Sequence, residues 1–171
     1  NYFKTLVRLG RIEDAQAEAE WFSARIAAGD PVLRSYLAEM WSSLGEDEKA
    51  LDLWQMLHLS APDLPYYALE TARSLFRLCD PQGAVTVLES AGSLADYPLA
   101  HEFLAEIESS LGRADEAVKR AEAGLQTKPT RGLLRQHAEN AEIAGVVSET
   151  SLSSSAAFLE QEPGNASVAL L

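Results

Sequence analysis

Residues 34–62 read RSYLAEMWSSLGEDEKALDLWQMLHLSAP, and this stretch decides the fold. Leu37, Ala38, Trp41 and Leu44 fall at i, i+1, i+4 and i+7, the spacing that gathers apolar side chains on one helical face. Gly45 breaks the pattern, as a glycine past a helix end does by accepting a left-handed backbone. Glu46, Asp47 and Glu48 follow, and carboxylates favour the positive end of a new helix. A second apolar set, Ala50, Leu51, Leu53, Trp54 and Leu57, runs toward Pro62. Proline removes a donor and disfavours helix in the residue before it. The product is helix, tight turn, helix, stop. Ala38 and Ala50 leave room for the two helices to approach, while Trp41 and Trp54 fill the space beside them. A helix pair this short cannot bury its own apolar faces and needs a neighbour on each side.

The pattern recurs. Ala15, Ala50, Ala84, Ala117 and Thr150 are spaced by 35, 34, 33 and 33 residues. Ala38, Ala72, Ala105 and Ala138 are spaced by 34, 33 and 33. The turn glycine returns at Gly10, Gly45, Gly112 and Gly145, with Cys79 in the remaining copy. Three independent ladders agree on one period. On that period and on Leu37, Ala38, Trp41, Ala50, Trp54 and Pro62, the chain resembles the tetratricopeptide-repeat family. A later copy keeps Leu104, Ala105, Gly112, Ala117 and Pro129, with Glu108 where an aromatic is usual. The copy between them keeps Ala72, Leu75, Ala84 and Leu88. The last is the weakest, with His137 and Ala138 followed by Thr150 and Ser154.

The resemblance implies an all-α fold, a right-handed α-solenoid of about five antiparallel helix-turn-helix repeats in a single domain. The repeats run at 1–29, 30–63, 64–96, 97–130 and 131–164, with 165–171 opening a further one. Helices are predicted near 1–9, 12–28, 31–43, 47–60, 65–78, 82–91, 97–111, 114–126, 131–144 and 147–161. Pro31 arrives late relative to Pro62, which predicts a longer second helix in the first pair. Asp80-Pro81 starts a helix with proline in its first turn. Ser148, Ser151, Ser153, Ser154 and Ser155 compete for backbone hydrogen bonds and predict the least stable part of the array. The chain opens inside a first helix and closes on apolar Val168-Ala169-Leu170-Leu171, where a terminal repeat would carry a polar face. That pattern predicts a segment of a longer array.

At 171 residues, 47% hydrophobic and 23% charged, the chain has ample apolar content for a packed helical domain. One cysteine excludes an internal disulfide and leaves cytoplasm and periplasm both open as compartments. No run approaches the apolar length a membrane span needs. A net charge of −12 argues against nucleic acid and anionic membrane surfaces, which call for clustered Lys and Arg.

His58, His101 and His137 sit in three copies without a His or Cys partner at helical spacing, so no metal site is predicted. Cys79 replaces a turn glycine and has no recognisable base beside it. The pairs Glu46/Asp47 and Asp115/Glu116 fall in helix first turns, where the dipole favours them. There is no glycine-rich phosphate loop and no Gly-x-Ser-x-Gly. Asn165-Ala166-Ser167 fits the glycosylation pattern, which occurs often by chance. The chain reads as a non-enzyme that takes no cofactor.

The family resemblance implies a groove lined by the first helix of each repeat, where a partner protein or peptide docks. By register this groove presents Lys4, Val7 and Arg8, then Ser35, Glu39 and Ser42. Tyr66, Leu69, Arg73, Phe76 and Arg77 follow, a mixture of apolar area and cations suited to an extended peptide. Glu102, Glu106 and Ser109, then Arg135, Glu139 and Glu142, complete it. Family members that bind chaperones hold a terminal carboxylate with Lys and Asn; Ser35, Glu39, Glu102 and Glu106 here predict that this activity is absent. The leading expectation is a protein-interaction scaffold, in an Ala-, Leu- and Arg-rich style that suits a bacterial source. One alternative is a periplasmic region of an envelope export machine, as in exopolysaccharide secretion, recruiting an enzyme or guiding polymer. Another is a structural spacer, or homo-association through exposed terminal repeats.

Overall fold

A computed structural model describes residues 2–26, 29–91 and 97–145. Among these residues there are nine helices and no strand: α1 (Tyr2–Arg8), α2 (Ile12–Ser23), α3 (Pro31–Ser43), α4 (Asp47–Ser60), α5 (Pro65–Arg77), α6 (Pro81–Ser90), α7 (Pro98–Ser110), α8 (Ala114–Thr127) and α9 (Arg131–Ala144). The serines between 148 and 155, the helix expected at 147–161 and Asn165-Ala166-Ser167 lie outside the described residues.

Local chemistry explains where the helices start. Pro31, Pro65, Pro81 and Pro98 each occupy a first helical position, where a missing N–H costs nothing. Asp30 caps α3 by accepting hydrogen bonds from the backbone N–H groups of Val32 (2.8 Å) and Leu33 (3.2 Å). Asp80 accepts from Gly83 N at 2.8 Å at the start of α6, and Thr130 accepts from Leu133 N at 3.1 Å at the start of α9.

The turns inside the pairs share one geometry. After α3, Glu46 N donates to Trp41 O at 3.0 Å and Gly45 N to Ser42 O at 3.2 Å. The same two bonds follow α1, α5 and α7, closing on Leu6, Leu75 and Glu108. Each turn needs one residue in the left-handed region, and Gly45 takes it with φ +75. Cys79 takes it too, with φ +63, and is the one described non-glycine residue there. A Cβ in that conformation is strained by roughly 1–2 kcal/mol.

One expectation is corrected. The second helix of the first pair was to run over 12–28, but α2 stops at Ser23. The N–H groups of Arg25 and Ile26 both turn back to Phe22 O, and the Arg25 guanidinium donates to Trp21 O at 3.1 Å while lying 4.4 Å over the Trp21 ring. The helix end is thus satisfied early, and residues 24–26 form turn and bend rather than a continuation of α2.

The chain divides into two compact units, residues 1–87 and 88–171, with the division inside α6. In the first, Phe3, Leu6, Ala15, Ala19, Leu37, Ala38, Met40, Trp41, Ala50, Trp54 and Leu57 form one buried cluster. Ala15, Ala38 and Ala50 fall on the predicted ladders, and the indoles fill the space they leave. Trp54 is fully buried, its ring edge-on to Tyr66 at 5.7 Å between centroids.

In the second unit, Ala105, Ala121, Leu125, Leu133 and Leu134 cluster between α7, α8 and α9. Here the helices close on small residues. A Cβ added to Gly124 would lie 2.7 Å from Leu133 Cδ2 and 2.8 Å from His101 Cβ. Polar groups share this interior. Glu108 is only 4% exposed and receives Arg113 Nη1 at 3.1 Å. His137 is buried with Nε2 3.4 Å from Glu122 Oε1, and Asn140 Nδ2 donates to Gln136 O at 2.7 Å.

Candidate functional site

The first helices of the three pairs in the first unit, α1, α3 and α5, bring Lys4, Glu39, Ser42, Ser43, Glu70, Arg73 and Arg77 around one opening of about 280 Å³. Five of these, Lys4, Glu39, Ser42, Arg73 and Arg77, are groove positions expected from the register, and the four charged ones set the character of the opening.

Most of the charge is already engaged. Arg73 Nη1 lies 2.7 Å from Glu70 Oε1, one helical turn back. Arg77 Nε lies 3.0 Å from Asp47 Oδ1 at the start of α4, an ion pair without an aligned hydrogen bond. Tyr66 Oη donates to Glu39 Oε1 at 3.1 Å, joining α5 to α3 across 27 residues of sequence. Lys4, exposed on α1, has no ion-pair partner among the described residues. Three cations and two carboxylates line the opening, and Asp47 beside Arg77 is a third carboxylate, so this face is locally balanced in a chain of net charge −12.

The remaining expected residues fall in different places. Leu69 is 1% exposed, so it packs inside and offers no surface to a partner. Phe76 is half-buried. Glu106 and Glu139 are exposed on α7 and α9 in the second unit, Glu139 with Arg135 Nη1 at 3.7 Å. Glu102 is drawn into structure instead: it accepts from Thr130 Oγ1 at 3.2 Å, beside the start of α9. Ser43 and Glu70 were not expected at the opening. Each sits at i+4 or i−3 from an expected residue, Glu39 or Arg73, and so shares its helical face.

Among the described residues no group of three or more His, Cys, Asp or Glu could hold a metal ion. Likewise, among them no helix is long and apolar enough to cross a membrane. What the opening offers chemically is hydrogen-bond donors and acceptors for a polar ligand, held on three helices.

No protein-family model and no curated protein sequence matches the chain. Solved structures do match. The chain is similar to TTC0263, a thermophilic TPR protein of Thermus thermophilus, at 21% identity and a TM-score of 0.66, over 99% of this chain and 92% of that one. It is similar to MamA at 17% identity and a TM-score of 0.69, over 98% of both chains. The first TPR of Spaghetti (RPAP3), bound to the HSP90 peptide SRMEEVD, matches 70% of this chain and 97% of its own at 17% identity and a TM-score of 0.61. The fold is therefore that of the tetratricopeptide repeat, an all-α helical repeat, as the three sequence ladders implied.

Proposed function

We infer that the chain is a non-catalytic protein-interaction scaffold that holds a partner's extended segment on the face of α1, α3 and α5. The observation that carries this is the convergence of Lys4, Glu39, Arg73 and Arg77, from three helix pairs, on one opening. Such an opening takes a single polar side chain or peptide group, and Tyr66, bonded to Glu39 at its edge, supplies contact area, with half-buried Phe76 on the same helix offered as a further contact. The solved TPR domain with its bound HSP90 peptide supports peptide binding by this fold. Glu39 and Glu70 at the opening favour a ligand that also brings donors, rather than a purely acidic one. Glu106 and Glu139 belong to this reading as a further stretch of contact in the second unit. The spacer alternative requires no occupant at this opening, whereas the export-machine alternative puts an enzyme or a polymer on the array.

The test is selection from a displayed random-peptide library on the whole chain, followed by affinity measurement with Lys4→Ala, Arg73→Ala and Arg77→Ala. Circular dichroism first checks that each variant folds as the parent does. A selected peptide should lose at least about tenfold in affinity for the variants, an energy of about 1.4 kcal/mol. Selection of no peptide, or of peptides indifferent to all three substitutions, sinks the reading and advances the spacer.

A further inference from the structure

A second depression lies in the first unit, bounded by the second helices α2 and α4 with α3 as its floor, and it shares no residue with the opening described above. Its volume is about 540 Å³, within the ~300–1,000 Å³ of ligand-sized clefts. It exists because α2 ends at Ser23 and meets α3 sparingly, where α4 runs along α5.

The lining is apolar with an acidic rim. Leu37 and Trp41, both buried, close the floor, so the apolar surface open to a ligand is that of half-buried Leu53 and of Met56, which is 45% exposed. Glu20 and Asp52 stand on opposite sides. Gln16 Nε2 donates to Glu20 at 3.3 Å, a neutral contact that leaves the carboxylate charge uncompensated. The cation present, Lys49, lies 4.3 Å over the Trp41 ring and pairs with Glu46 Oε2 at 3.2 Å, so its charge is matched. Arg25, nearby on the chain, is committed to Trp21. An exposed methionine adapts to varied apolar side chains. Two carboxylates on opposite sides of an open depression attract cations.

We propose that this cleft docks a short amphipathic helix of a partner protein, one that inserts large apolar side chains between α2 and α4 and sets Lys or Arg against Glu20 and Asp52. The geometry is helix-in-groove recognition, in which apolar anchors give affinity and flanking charge gives selectivity. It is independent of the peptide face on α1, α3 and α5.

The test uses the whole chain and a fluorescein-labelled Leu/Lys amphipathic helix, with a Leu/Glu helix of the same apolar pattern beside it, read by anisotropy. The Leu/Lys helix should bind and the Leu/Glu helix should not. Glu20→Lys with Asp52→Lys should weaken binding at least tenfold, as should Met56→Lys, which leaves both carboxylates in place. A charge-matched control, Glu106→Lys with Glu139→Lys, should weaken it less than threefold, and Arg73→Ala should leave it unchanged. These positions are all exposed or half-buried, and circular dichroism confirms folding. Equal loss in the control pair would reduce the binding to net charge and overturn the proposal. So would loss on Arg73→Ala, binding of neither helix, or self-association that Met56→Lys abolishes.

Discussion

Helix pairs α3–α4 and α7–α8 stand two steps of the sequence period apart and follow the same backbone plan, yet they are filled differently. Aligned on Ala38 with Ala105 and on Ala50 with Ala117, Trp41 corresponds to Glu108, Trp54 to Ala121 and Leu57 to Gly124. All six are buried. The first pair fills these positions with two indoles and a leucine. The second draws its helices onto Leu133 and His101 at Gly124, and satisfies a buried carboxylate with Arg113. The period fixes which positions are buried. It does not fix what fills them, because the helix separation adjusts to the side chains available.

The largest expected effect tests the indole-filled pair. Trp54→Ala should cost about 3–5 kcal/mol, since a fully buried indole leaves a cavity its neighbours cannot close. Urea unfolding followed by helical circular dichroism measures it, and a loss under about 1 kcal/mol would show that the α3–α4 pair collapses as freely as α7–α8. In the second pair the fault should run the other way. Gly124→Ala should destabilise by about 1–2 kcal/mol, because overpacking against Leu133 and His101 outweighs the better helix propensity of alanine. A stabilised variant would mean that α8 can retreat at small cost.

The turns extend the contrast. Cys79 holds a conformation that Gly45 and Gly112 hold at the matching positions. Cys79→Gly should therefore raise stability by about 1 kcal/mol, seen as a higher urea midpoint. An unchanged midpoint would mean the extra chain entropy of glycine in the unfolded state cancels the relieved strain. The smallest change is expected at Glu108→Leu, within about 1 kcal/mol of the parent. Loss of the ion pair is offset by sparing a buried carboxylate, and half-exposed Arg113 regains water. A loss beyond about 2 kcal/mol would mark the Glu108–Arg113 pair as a net stabiliser that α7–α8 needs.

Much of the fold is legible in the sequence because proline, glycine and alanine carry unambiguous backbone meanings. Pro31, Pro65 and Pro98 fix helix starts, Gly10, Gly45 and Gly112 fix turns, and the described ladder alanines other than half-buried Ala138 mark the buried faces. The end of α2 was hidden because it depends on Arg25 reaching the Trp21 carbonyl and ring, a contact that no periodicity announces. The candidate site was half legible. Register placed Lys4, Glu39, Arg73 and Arg77 together, but it could not tell that Leu69, on the same helix as Arg73, turns inward. Nor could it tell that Glu102 would be spent on Thr130. Such choices depend on the angle at which a helix meets its neighbours, to within a fraction of a turn. The cleft between α2 and α4 had no sequence signal, since it arises from a helix stopping short.

The indoles of the first unit have a spectroscopic consequence. Trp21, Trp41 and Trp54 are the chain's three tryptophans, all before residue 88, and beyond that point Tyr97 is the one tyrosine. Tryptophan emission therefore observes the first unit alone, while far-ultraviolet ellipticity sums over every helix. Trp21 is already 53% exposed and Trp54 fully buried, so the red shift on denaturation belongs to Trp41 and Trp54. The protein thus carries in its own sequence a probe that separates one half of its helices from the other without any label.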